Sequence, residues 1–255
     1  MDLPPDVSGH LSTFRDGLLP IVELRGLYLY GSLTTGDFSP SSSDIDVLAV
    51  TERRPSGAVL DRLSALHLDL ARCGGVYARL NCLYVLDGTL ADPALLHAYW
   101  YRDRFTEWRL KVMTMAELSH AGQPVHGPWP PPGLPEVRTT RVRDSVRDEL
   151  TGYWRRLTYR PGVWLHDRWV DFALVTLARG AAVIRDGSLV TKSQAIEMLG
   201  DFGVPPSLAD EIRRRRAGES VRVTAGQRLV RAARARQIMA AGIRDVTARS
   251  AKACC

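Results

Sequence analysis

Leu29-Tyr30-Gly31-Ser32, eleven further residues, then Asp44-Ile45-Asp46-Val47 is the stretch that decides how this chain is read. Residues 27–30 are a short apolar run that stops at Gly31-Ser32. Residues 34–43 are rich in Thr, Ser, Gly and Pro, which predicts a loop. Residues 44–50 begin with acid and apolar residues in alternation, and Val47, Leu48 and Val50 suit a buried strand. Residues two apart in a strand face the same side, so Asp44 and Asp46 are expected to present two carboxylates together. Carboxylate oxygens suit Mg²⁺, which keeps water and substrate phosphate oxygens in its shell. A pair of such ions can stabilise both the attacking and the leaving oxygen of an in-line displacement at phosphorus. Gly31 lets backbone approach a phosphate without a Cβ in the way, and Ser32 and Ser43 offer hydroxyls and N–H groups to its oxygens.

The surrounding pattern is mixed. A first short helix is expected over 8–18, and apolar residues at Val59, Leu60, Leu63, Leu66 and Leu70 predict a helix over 58–72 that ends at Cys73-Gly74-Gly75. Residues 77–86 read as a strand and 90–98 as a helix. An aromatic segment follows, from Tyr99-Trp100-Tyr101 to Phe105-Thr106-Glu107-Trp108. No helix runs through Pro130-Pro131-Pro132, which makes this proline-rich stretch the best boundary. Beyond it, helices are expected over 139–157, 168–186, 193–200, 207–216 and 224–248. The fold class is therefore α+β: a mixed sheet with helices over 1–127, a linker over 128–137, and an all-α domain over 138–255.

Composition narrows the choices. Apolar residues at 45% and charged residues at 24% argue against disorder. No stretch approaches the roughly 20 apolar residues of a membrane span. The acidic start (Met1, Asp2, Asp6) lacks a signal peptide's basic and apolar regions, so the expectation is cytoplasmic. The net charge of +6 hides a division. Residues 1–137 hold 11 basic and 16 acidic side chains, a net of −5, and the rest of the chain carries +11. Nearly all the basic residues are Arg, which a GC-rich coding sequence explains, and no nucleic-acid motif accompanies them. Cys73, Cys82, Cys254 and Cys255 have no metal-ligand spacing and predict free thiols. None of the histidines shows ligand spacing, and His166 is the one near acids, Asp167 and Asp171.

The apolar-Gly-Ser run followed by Asp-x-Asp resembles the signature of the nucleotidyltransferase superfamily. Thr176-Leu177-Ala178-Arg179, Asp186-Gly187 and Thr191-Lys192 resemble the helical C-terminal domain of streptomycin/spectinomycin-type aminoglycoside adenylyltransferases. Phe105-Thr106-Glu107-Trp108 resembles their acceptor segment. The resemblance implies transfer of AMP from ATP to a hydroxyl of an aminoglycoside-like molecule, with Mg²⁺ (two ions) and release of pyrophosphate. It implies Asp44 and Asp46 as catalytic metal ligands, and Gly31, Ser32 and Ser43 at the phosphates. Arg179 and Lys192, thirteen apart, match the family's triphosphate-binding cations. Trp108 matches its acceptor-site tryptophan, with Glu107 beside it. Asp171 is a candidate for a cationic acceptor, and Asp167 is expected to cap its helix.

One position departs from the family. Asn81 stands where the family has a Glu that completes the metal site or acts as general base. An amide cannot take that proton, and a general base is worth about 10²–10⁴-fold. Three readings follow: the two Asp act alone, a base comes from Asp171 or Asp167, or the chain binds nucleotide with little transfer. A transferase acting on nucleic acid or protein is the further alternative.

Overall fold

The structure is a computed structural model that describes residues 5–40 and 42–252. The chain divides into two compact units, Met1–Val137 and Arg138–Cys255.

The first unit is built on a six-stranded sheet with the order β5-β4-β3-β2-β1-β6. After α1 (Pro5–Leu18) come β1 (Leu24–Tyr30), a short 3₁₀ turn (Gly31–Leu33) and β2 (Ile45–Thr51). The helix α2 (Ala58–Arg72) carries the chain over to β3 (Leu80–Leu86). That crossover makes β2 and β3 parallel, the one arrangement a hairpin cannot produce. β4 (Leu96–Tyr101), β5 (Arg104–Arg109), α3 (Val112–Ala121) and the edge strand β6 (Gln123–His126) complete the unit.

Strand alternation sorts the core into two layers. Leu27, Leu29, Val47, Ala49, Cys82 and Tyr84 face α1 and α2, where Leu11, Phe14 and Leu63 meet them. Tyr28, Tyr30, Leu48, Val50, Leu83 and Val85 face the other way, toward Leu110, Met115 and Leu118 of the α3 segment. Asp46 and Asn81 alternate onto this second face, at the end of the strands where its apolar layer stops.

The helix expected over 90–98 is a turn and a strand. Asp92 Oδ1 accepts from the Ala94 N–H at 2.9 Å, a local bond that competes with helix formation. β4 then pairs with β3 through Cys82–Trp100, Leu83–Tyr99 and Tyr84–Ala98. Arg102 and Asp103 take positive φ values of 50° and 61°, as a two-residue hairpin turn requires, and β5 returns along β4. Pro124 in β6 is tolerated because β6 is an edge strand.

The second unit is helical: α4 (Thr139–Glu149), a π turn (Leu150–Trp154), α5 (Arg155–Leu157), α6 (Asp167–Asp186), α7 (Lys192–Glu197), α8 (Pro206–Arg216) and α9 (Ala225–Lys252). Its axis is α6, where Val170, Leu174, Leu177, Ala178 and Ala181 are buried. Gly187, at φ 77°, ends α6 in the left-handed conformation that glycine favours. Thr191 and Gln194 form a reciprocal capping box that starts α7. Among the described residues, no helix is long and apolar enough to cross a membrane.

Candidate active site

Asp44 is exposed just ahead of β2, and Asp46 is half-buried as its second residue. Across the sheet, Asp46 lies opposite Tyr30 of β1 and Asn81 of β3. Asn81 is buried, and its Nδ2 donates to Asp46 Oδ1 at 3.2 Å. A carboxylate only accepts, so the amide must turn its N–H₂ toward Asp46. The other carboxylate oxygen lies against Gly31: a Cβ there would stand 2.9 Å from Asp46 Oδ2. Gly31 also has φ +81°, so both its conformation and its closeness to Asp46 call for glycine. The turn is held from within, because the Thr34 and Thr35 N–H groups both donate to Gly31 O at 3.2 Å.

Ser32 is half-buried in this turn. Ser43 is held within its own loop. It is buried, its Oγ accepts from the Ser39 N–H at 2.9 Å, and its own N–H donates to Ser39 O at 2.8 Å. Ser43 thus closes the loop that delivers Asp44.

Two tyrosines, Tyr30 and Tyr99, border the carboxylates. Burial and then the Asp46 charge raise the Tyr30 hydroxyl well above its ordinary pKa, with Tyr99 and Glu117 adding to the effect. Burial and then Asp46 likewise raise Tyr99. Both stay protonated and able to donate. Tyr99 stacks on Tyr101 with ring centres 5.7 Å apart.

The register divides the acceptor segment between the two faces. Leu83 pairs with Tyr99, and Tyr99 with Thr106, so Trp108, two residues on, shares the Asp46 face. Trp108 is exposed, with Lys111 Nζ 5.4 Å from its ring centre, a cation–π distance. Glu107 pairs with Ala98 and so lies on the opposite face, where its carboxylate meets Arg54 at 2.8 Å. This corrects the expectation that Glu107 and Trp108 act together.

In the helical unit, Arg179 Nε donates to Val190 O at 2.9 Å, which fixes the guanidinium beside the segment leading into Lys192. Lys192 is exposed at the start of α7. Asp171 departs from expectation. Both its oxygens accept from Arg215 at 2.7 Å, a fork that occupies the carboxylate expected to meet an acceptor. Burial raises the Asp171 carboxyl pKa, and Arg215 opposes the shift. Asp167 makes no side-chain cap and pairs with Arg231 of α9. Glu211 joins Arg215 and Arg231 at 3.2 Å each, so one ionic network ties α6, α8 and α9 together. Both aspartates are thus engaged by arginines of their own unit. His166 is exposed at the foot of α6. Cys73 and Cys82 are free thiols, and Cys254 and Cys255 lie outside the described residues.

Residues 11–112 match the family model described as nucleotidyltransferase domain. The chain carries a nucleotidyltransferase domain. That match takes in Gly31, Ser32, Asp44, Asp46, Asn81 and Trp108. The chain is also similar in structure to spectinomycin adenyltransferase AAD(9) from Enterococcus faecialis, solved with ATP and spectinomycin. The TM-score is 0.65 at 14% identity, over 91% of this chain and 97% of that one, which is a likeness of fold. No curated protein matches the sequence significantly.

The nucleotidyltransferase domain thus carries two carboxylates, Asp44 and Asp46, two residues apart at the start of β2. Among the described residues, no group of three or more His, Cys, Asp or Glu suits a metal ion. Two carboxylates still fit Mg²⁺, which is commonly bound by one or two carboxylates plus substrate phosphates. The tyrosines beside Asp46 were not singled out from sequence. Their alternation at Tyr99 and Tyr101 carried the signal, and the helical reading of 90–98 obscured it.

Proposed function

We propose that this nucleotidyltransferase moves AMP from ATP to a hydroxyl of an aminoglycoside-like small molecule and releases pyrophosphate. The observation that carries the reading is Asp46, set between Gly31 and Asn81, with Asp44 two residues before it. ATP and the acceptor class are suggested by the structural neighbour, which was solved with ATP and spectinomycin.

In this mechanism Asp44 and Asp46 would hold Mg²⁺, which would offset phosphate charge. The Gly31 backbone and Ser32 meet phosphate oxygens. Arg179 and Lys192 take up triphosphate charge; Arg suits a two-oxygen contact and Lys a point contact. The acceptor oxygen attacks the α-phosphorus, its new P–O bond replaces the bond to pyrophosphate, and its proton passes to solvent. Asn81 takes no part in that proton transfer, because an amide is no base at neutral pH. Trp108 offers a ring face to a sugar or a cationic group.

The test is pyrophosphate release with ATP and Mg²⁺ across a panel of aminoglycosides. Release that depends on an acceptor and disappears in Asp44→Asn supports the reading. Release that survives Asp44→Asn refutes it. No release by the wild type, with release after Asn81→Glu, would favour a nucleotide-binding role with little transfer.

A further inference from the structure

We propose that this domain holds a single divalent cation, which arrives with the nucleotide, and that Asn81 is the positioning residue that sets this number. The inference rests on the nucleotidyl-transfer reading above.

Tyr30, Asp46 and Asn81 stand in one row across β1, β2 and β3. Asp46 is held at one oxygen and closely approached at the other. Oδ1 accepts from Asn81 Nδ2 at 3.2 Å, and Oδ2 packs against Gly31. Asn81 is 6% exposed, so its amide is part of the sheet and not a mobile surface group. An Asn here adds order to Asp46 without adding charge.

Paired divalent ions sit roughly 3.5–4 Å apart, and anionic oxygens must offset their mutual repulsion. Asp44 and Asp46 supply two negative charges against the four positive charges of such a pair, and the nucleotide phosphates would have to offset the rest with no third protein carboxylate to hold the second ion. A third carboxylate at position 81 would face Asp46 directly and could share a cation with it. The amide instead spends its N–H on the Asp46 oxygen. No third carboxylate completes the set, since no group of three or more potential ligands exists among the described residues. Glu117 senses Tyr30 electrostatically from α3 and still forms no such group with Asp44 and Asp46. Two carboxylates with ligands from nucleotide phosphates and water complete one Mg²⁺ shell. The nucleotide is then a required part of the metal site.

Electron paramagnetic resonance with Mn²⁺ tests this on the full chain. Free Mn²⁺ is counted during titration, with and without saturating α,β-methylene ATP, a non-transferable analogue. The wild type should bind about one Mn²⁺ per chain with the analogue, show no spin-coupled pair, and bind Mn²⁺ at least tenfold more weakly without it. Asn81→Glu and Asn81→Asp should bind a second ion and show a coupled pair. Asn81→Ala should keep one ion at reduced affinity, because Asp46 loses its anchor. A coupled pair in the wild type overturns the proposal, whatever the variants do. So does a single ion in folded Asn81→Glu and Asn81→Asp. If the analogue itself fails to bind, the nucleotidyl-transfer reading falls, and this inference with it.

Discussion

Mild acid should destabilise the sheet unit through one buried side chain, His67. Its Nε2 is 2.7 Å from the Tyr84 hydroxyl, and its ring lies flat on Trp100 with centres 4.6 Å apart. Burial lowers its pKa from 6.5 to about 3. In the unfolded chain the same ring titrates near 6.5. Between those values the unfolded state binds more protons than the folded one, so stability falls as pH falls. The contribution is complete above about pH 6.5 and is lost progressively toward pH 3. At pH 5 the loss is about 2 kcal/mol, from roughly 1.5 pH units at about 1.4 kcal/mol each. Below pH 3 it levels off near 5 kcal/mol.

Urea unfolding at pH 8 and pH 5, on wild type and on the double variant His67→Phe/Tyr84→Phe, isolates this effect. The second substitution avoids an orphaned Tyr84 hydroxyl, which would cost about 1–3 kcal/mol by itself. His97, whose pKa is also lowered mainly by burial, is present in both proteins and cancels in the difference. The wild type should lose about 2 kcal/mol more than the double variant between the two pH values. Equal losses would mean that His67 does not enter the fold neutral, and the reasoning would fail.

Gly31→Ala should cut transfer at least tenfold, since it forces a side chain into positive φ, a cost of about 1–2 kcal/mol, and pushes on Asp46. Steady-state rates beside a thermal melt check this, and native activity would contradict it. Lys192→Ala should raise the KM for ATP by roughly 10- to 100-fold, the worth of one charge-assisted bond, with an unchanged melting profile. Arg215→Ala should lower the stability of the helical unit by about 3 kcal/mol, because it leaves Asp171 part-buried without its ion-pair partner, while Glu211 keeps Arg231; calorimetry reads it. If that variant melts like the wild type, the ionic network has no structural weight.

Local signals in the sequence led to the right elements where one physical cause dominated. The helix over 58–72 has a clean apolar face and glycines at its end. The Gly31-Ser32 turn and the Asp44/Asp46 alternation are also short-range features. Signals that depend on distant partners were not legible. Asp171 meets Arg215, 44 residues away, and Asp167 meets Arg231, 64 away, so neither contact shows in spacing. The Arg-rich helices concealed which arginines pair inside the unit. β4 has too little length and too many aromatics for periodicity to identify it. Its strand form comes from pairing with β3, a tertiary cause. Glu107 was grouped with Trp108 because they adjoin in sequence, whereas adjacent residues of a strand face opposite sides.

The central claim is that the Asp44/Asp46 pair is the centre of nucleotidyl transfer. Label transfer from [α-³²P]ATP to spectinomycin and related aminoglycosides tests it most directly, with [γ-³²P]ATP and Asp46→Asn as the two comparisons. The account predicts label on the acceptor from the α position, none from the γ position, and none with Asp46→Asn. Label from the γ position, or transfer by Asp46→Asn at the wild-type rate, would contradict it.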